Sequence, residues 1–123
     1  MKRIALVFTL LAACTTGAAT NAACPTENAP TYAGFGQPFF ATYCTGCHSA
    51  TASDRHGAPA GQNYDTEDDV REHAGEIDAM AAAGPDATNT AMPELGGSVD
   101  HRPSAAEREQ LGAFLACMAA AAP

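Results

Sequence analysis

Cys44-Thr45-Gly46-Cys47-His48 is the stretch whose reading decides the fold. It has the form CxxCH. Two thiols three positions apart on one turn can each add to a vinyl group of a haem, and the neighbouring imidazole then lies under the iron as its proximal ligand. Half of a zinc site would need further ligands at matching spacing, and the sequence holds no second CxxC and no HxxxH pair. A redox-active CxxC belongs in a strand-helix-strand context, and no strand pattern surrounds this one. The motif therefore predicts one covalent haem c, held by Cys44 and Cys47 with His48 on the iron.

Toward the N-terminus, Lys2 and Arg3 precede a short apolar run over residues 4–13 that ends in Leu11-Ala12-Ala13-Cys14. That is the pattern of a secretory leader. The Leu-Ala-Ala-Cys ending resembles the lipobox of bacterial lipoproteins, which implies cleavage before Cys14 and acylation of its thiol. The competing reading is an ordinary leader cut further on, near Ala23, which would discard Cys14. Thr15 in place of aspartate favours the outer over the inner membrane, again by resemblance to lipoprotein sorting. The expected organisation is a lipoprotein signal peptide over residues 1–13, a lipidated N-terminus and tether over 14–34, and a domain over 35–123. No apolar run reaches the about 18 residues a membrane-crossing helix needs, so a lipid anchor would be the one membrane attachment.

Five cysteines sort into two pairs and a single one under this reading. Cys44 and Cys47 belong to haem and Cys14 to lipid, which leaves Cys24 and Cys117. In an oxidising compartment two remaining thiols are expected to form a disulfide, closing nearly the whole mature domain into one loop. Two separate free thiols are the alternative. The formal charge is −8, and removing Lys2 and Arg3 takes it two units further, to −10. Beyond the leader there is no lysine, only Arg55, Arg71, Arg102 and Arg108. Nucleic acid and anionic membrane surfaces are excluded as electrostatic partners, and a redox protein with a basic docking face is the expected complement.

The periodicity predicts an all-α domain of about three main helices with long loops. Pro38 suits the first turn of a helix over residues 38–46, with Phe39, Phe40 and Tyr43 as its large packing residues. Residues 49–64 read as a polar, glycine-rich loop. Thr66 caps a helix over residues 67–83, its acids at the positive end of the dipole and Val70, Ala74, Ile77, Met80 and Ala81 on one stripe. Residues 86–103 read as a long loop with Pro93, Gly96 and Gly97. Ser104 and Glu107 form a capping box for a terminal helix that presents Leu111, Phe114, Leu115 and Met118 on one face.

The iron's remaining axial position decides between electron transfer and catalysis. Met80 and Met118 fall on apolar helical stripes and read as core, His73 as a surface or boundary residue, and His56 stands too close to His48 to reach the other haem face. Met92 stands in the long loop before Pro93, where a flexible segment can wrap a planar cofactor. It is the expected distal ligand. A thioether is soft and neutral, so it favours the ferrous ion and raises the potential over that of two imidazoles.

These features together, CxxCH, an amphipathic helix, Met92-Pro93 and a C-terminal helix, resemble a small class I cytochrome c over residues 35–120. The resemblance implies a domain wrapped around one covalent haem. It also implies a proline carbonyl, here that of Pro59, accepting a hydrogen bond from the proximal imidazole. The sequence departs from the family in lacking a lysine ring and in lacking tryptophan, which leaves Arg55, Tyr64 or loop amides as candidate contacts for the haem propionates. The function implied is electron transfer by a periplasmic, lipid-anchored monohaem carrier with His/Met ligation and no small-molecule substrate, not an enzyme. Two alternatives stand beside it. One is a peroxidase-like enzyme or ligand sensor with an open distal site served by His101 and Arg102; the other is a non-haem, disulfide-stabilised surface lipoprotein.

Overall fold

A computed structural model describes residues 17–96 and 99–123. The expected leader, the acylation site at Cys14 and the sorting position Thr15 lie outside the described residues. The element order is a π-helical segment (Tyr32–Gly36), then α1 (Gln37–Tyr43), α2 (Glu67–Glu72), α3 (Ala74–Ala81) and α4 (Ala105–Ala120). Every regular element is helical. Among the described residues no strand forms, and β pairing is confined to isolated bridges between Ala83 and Thr88 and between Gly96 and Val99. The all-α class expected from the sequence is what these residues adopt.

The π-helical segment carries no signal in the sequence, where residues 24–36 read as irregular. Thr31 caps it by accepting from the Gly34 amide, and it runs directly into α1. Pro38 then sits in the first turn of α1, where the missing N–H costs nothing. α1 is shorter than expected. It ends at Tyr43, and the CxxCH stretch follows as a separate turn in which the Cys44 carbonyl accepts from the amides of Cys47 at 3.1 Å and His48 at 2.8 Å.

The single helix expected over residues 67–83 is two. Thr66 and Asp69 form a capping box for α2, but at His73 the backbone turns to φ −105° and ψ 13°, outside the helical region. There the imidazole contacts the Gly61 carbonyl at 3.1 Å and the Glu76 carboxylate at 3.2 Å. The break thus ties the helix pair to the preceding loop. The stripe survives it, because Val70, Ile77 and Ala81 are all buried.

α4 follows the sequence reading closely. Its Ser104 and Glu107 capping box is formed, and Leu111, Phe114, Leu115 and Met118 are buried. Side chains of this size contribute about 1.5–3 kcal/mol each when fully buried. Phe114 meets Phe40 of α1 with ring centroids 6.4 Å apart, and Phe40 in turn meets Tyr64 edge-on at 5.9 Å. Gly112 lets the chain at Ala83 cross α4 at close range, since a Cβ there would stand 2.3 Å from the Ala83 carbonyl oxygen.

The segment expected as a tether is instead built into the domain from Gly17 onward. Thr20 is buried and reaches Asp78 twice, through its amide at 2.8 Å and its hydroxyl at 2.6 Å. Asn89 donates to the Ala18 carbonyl at 2.7 Å, and a Cβ on Gly17 would collide with the Ala79 carbonyl oxygen. Low apolar content is a poor guide here. This strap is held by hydrogen bonds and close backbone approach, which composition does not report. Its end is fixed covalently by a Cys24–Cys117 disulfide, the pairing expected from the cysteine count, with Cα atoms 4.6 Å apart.

The bridge spans 93 residues, and closing a loop of that length is worth about 4.6 kcal/mol in the chain-entropy account. Cys24→Ser with Cys117→Ser is expected to lower stability by that order. The measurement is the urea midpoint of the double variant against the parent, and reductant should shift the parent toward the variant while leaving the variant unmoved.

Candidate functional site

The turn after α1 delivers the Cys44 and Cys47 thiols and the His48 imidazole to one cavity of about 910 Å³. Its volume falls in the range of cofactor sites. The residues after the motif (Arg55, His56, Pro59, Gln62, Tyr64) supply one part of its lining, α3 supplies Ile77 and Met80, and the long loop supplies Met92, Pro93, Leu95 and Val99. Met80, read from its stripe as core, faces this cavity beside Met92. Two thioethers therefore share it with the motif. His101 and Arg102 are not part of the lining; His101 pairs with Asp100 and meets the Tyr43 ring, and Arg102 donates to the Thr90 carbonyl.

His48 is oriented from two sides. Its Nδ1 lies 3.0 Å from the Gln62 carbonyl, and its ring stacks on Tyr64 with centroids 4.6 Å apart and planes 22° from parallel. A carbonyl oxygen only accepts, so Nδ1 carries the proton and the lone pair is on Nε2. Burial pushes the imidazole pKa below its ordinary value; the Gln62 bond opposes that shift, and the charges of Arg55 and His73 add to it. A neutral imidazole with a bare Nε2 is the form that binds a metal.

The carbonyl partner of His48 is a correction to the sequence reading. The oxygen of Pro59 accepts from Arg55 Nη2 at 2.6 Å, and Gln62 takes the place expected for it. The reason lies in Arg55. Its Nε donates to the Ala58 carbonyl, its Nη1 to the Ser49 carbonyl and Asn63 Oδ1, and its Nη2 to the Pro59 and Gln62 carbonyls. All five N–H groups are thereby committed, and none is left for a propionate while the loop is intact. Arg55 is a clamp that folds residues 49–63 and sets the carbonyl facing His48. Tyr64 keeps its cavity position, and burial, then the neighbouring Cys44 and Glu76, push its phenol up to about 12, so its hydroxyl stays a donor.

The two thiols are unpaired, in contrast to Cys24 and Cys117. Cys44 caps the C-terminal end of α1, the negative end of the helix dipole, whereas activated thiolates sit at positive ends. Burial, with Cys47 adding to it, pushes the Cys44 thiol up to about 12. This is the opposite of what a redox CxxC requires. Among the described residues no group of three or more His, Cys, Asp or Glu side chains converges as a site for a free metal ion.

Residues that the sequence reading passes over complete the site. Gln62 acts through its backbone, for which the sequence carries no signal. Arg108 does carry one, because it shares the helical stripe of Leu111, Leu115 and Met118. It is buried in α4, and its Nη1 reaches the carbonyls of Ala81, Asn89 and Met92. No protein-family model, curated protein or solved structure matches this chain.

Removing the Arg55 donors should release the loop without disturbing α4. Arg55→Met is expected to accelerate limited proteolysis within residues 55–63 by ~10-fold, the effect of losing charge-assisted hydrogen bonds to carbonyls. Peptide mapping against the parent reads this, and an unchanged cleavage rate there would show that the clamp is not what holds the loop.

Proposed function

We propose that this chain is a monohaem electron carrier resembling the small class I cytochromes c, with the domain wrapped around one haem c. The observation that carries the reading is the convergence of Cys44, Cys47, His48 and Met92 on one cavity, with the imidazole fixed so that Nε2 is free. The donor set fits the group. Two free thiols at CxxC spacing suit thioether formation, His48 suits the proximal position, and a soft thioether suits the distal one. When bound, haem supplies a single reversible electron at a potential raised by methionine ligation.

The chain's own residues do the rest. Gln62 holds the proximal imidazole through Nδ1, and Tyr64 stacks on it, so the ring cannot rotate away. Apolar side chains including Phe39, Ile77 and Val99 line the cavity and would shield a bound haem from water, which favours the less charged, reduced state. With Arg55 committed to its loop, Tyr64 and loop amides are the candidates to donate to a propionate. Haem held by both His48 and Met92 would leave no vacancy for a substrate, which favours a carrier over an enzyme. The open-site alternative receives less support, because His101 and Arg102 stand outside the lining of the cavity.

Leu95 is a large apolar side chain left 54% exposed, and it belongs to the same cavity lining. An apolar spot in a strongly acidic surface suits a transient redox partner with a basic docking face. Export, periplasmic residence and anchoring through Cys14 belong to the same proposal and rest on the leader sequence.

Expression with haem-attachment machinery is expected to give a red protein whose denatured mass rises by one haem. The oxidised form should show a low-spin spectrum with the weak methionine-to-iron charge-transfer band. Met92→Ala should keep the covalent haem, abolish that band and lower the potential, while Met80→Ala should retain it; His48→Ala should leave little folded holoprotein. A high-spin parent spectrum that shifts with carbon monoxide would instead establish an open distal site.

The anchor is tested separately. The parent is expected to incorporate a labelled fatty acid, and Cys14→Ser to abolish that incorporation. A parent without label, or a variant that keeps it, would remove the Cys14 lipid from the proposal.

A further inference from the structure

We infer that Arg108 is a positioning residue for the distal side of the cavity: its guanidinium fixes the backbone over residues 89–92 so that the Met92 thioether is held in the space it shares with His48. The consequence for iron ligation rests on the haem reading above. The anchoring of the loop does not.

Arg108 is only 3% exposed, and among the described residues no carboxylate pairs with it. What surrounds its Nη1 is three carbonyl oxygens, those of Ala81 at 2.7 Å, Asn89 at 2.9 Å and Met92 at 2.9 Å. They come from the last turn of α3 and from two points on the loop that follows. Ala81 lies at the negative end of the α3 dipole, so the guanidinium is balanced by oriented carbonyls in place of an acid. An apolar side chain of similar size would fill the same volume. It would leave those carbonyls without this donor, and the three segments would lose the tie that holds them in register.

Met92 is gripped on both sides of its own Cα. Its amide donates to the Met80 carbonyl at 2.9 Å and its carbonyl accepts from Arg108, so the backbone at residue 92 is fixed between α3 and α4. Asn89 is fixed in the same way: its amide donates to the Ala82 carbonyl at 2.9 Å, its side chain donates to the carbonyls of Ala18 and Asp78, and its carbonyl accepts from Arg108. A ligand carried on a free loop loses conformational entropy each time it binds. One whose backbone is already fixed does not, and Arg108 supplies that preorganisation.

The test compares Arg108→Met and Arg108→Lys with the parent, each as the full chain carrying its haem, by two readouts. Amide hydrogen exchange at Asn89 and Met92 is measured against Leu111 and Phe114 in α4, and the methionine-to-iron band is followed during urea titration. Arg108→Met is expected to accelerate exchange at Asn89 and Met92 by ~10-fold or more, with α4 unchanged. The band should disappear at urea concentrations below those that unfold the protein, and Arg108→Lys should recover part of both effects. Unchanged exchange at the two loop amides, or acceleration spread evenly through α4, overturns the inference, the second outcome making Arg108 a general stabiliser. If Arg108→Met fails to fold, Arg108→Lys carries the comparison: a smaller acceleration confined to the loop amides supports the inference, and none there, or an even one, overturns it. A parent protein without the methionine band refutes the distal assignment under Proposed function, and the exchange measurement still decides whether Arg108 anchors the loop.

Discussion

A guanidinium cannot be buried without acceptors around it, and the acceptors that Arg108 finds are the carbonyls of Ala81, Asn89 and Met92. That one requirement ties α4, the end of α3 and the long loop together, beside the apolar packing of α3 on α4 and the backbone bonds from Asn89 to Ala82 and from Met92 to Met80. The strap depends on the same knot. Asn89, whose carbonyl is one of the three acceptors, also donates to the Ala18 carbonyl, and Asp78 in α3 holds Thr20. The disulfide then joins the end of the strap to α4, so the strap is held at both of its ends. A short chain has too little surface to bury for a large core, and these polar ties supply the register that apolar packing alone would leave loose.

The two sides of the cavity are made differently. The motif side is local: Cys44, Cys47 and His48 occupy one turn, and the carbonyl that orients His48 comes from Gln62, fourteen residues on, within a loop folded by Arg55. The methionine side is assembled from distant parts, since Met92 is placed by contacts to Met80 and Arg108. Local contacts survive partial opening better than contacts that need three elements in register. The motif half of the site is therefore the sturdier one, and the methionine half depends on tertiary structure.

This asymmetry also explains what can be read from the sequence. The helices with strong periodicity and caps, α2 and α4, are legible from Thr66 and Ser104 and from the stripes they open. The Cys24–Cys117 pairing follows from counting thiols. The break at His73 is not legible, because it is imposed by contacts of the imidazole to Gly61 and Glu76 and the apolar stripe runs through it unchanged. The strap over residues 17–24 looks like a tether for a related reason: its bonds are made by backbone atoms and by Thr20, whose partner Asp78 is 58 positions away. Resemblance alone points to Pro59 as the partner of His48, and a neighbouring arginine takes its carbonyl.

Arg108 shows where a closer reading of pattern goes further. A charged residue on an otherwise apolar stripe breaks local consistency, and such breaks mark positions where a fold accepts a cost for a purpose. Here the cost is desolvation, which with the nearby charge of Arg102 lowers the guanidinium pKa from its ordinary value. Arg55 makes the same kind of use of a cation at the other side of the cavity, with carbonyl acceptors and one amide oxygen in place of an acid. The two sites differ in what they ask of the side chain. Arg55 reaches five acceptors through three nitrogens, a fork that a compact ammonium cannot reproduce. Arg108 gathers its three carbonyls about one nitrogen, so there an ammonium at the same point would keep part of the tie. In a chain whose charge is overwhelmingly negative, two of its few arginines are thus turned toward main-chain carbonyls, each fixing one backbone segment that faces the cavity.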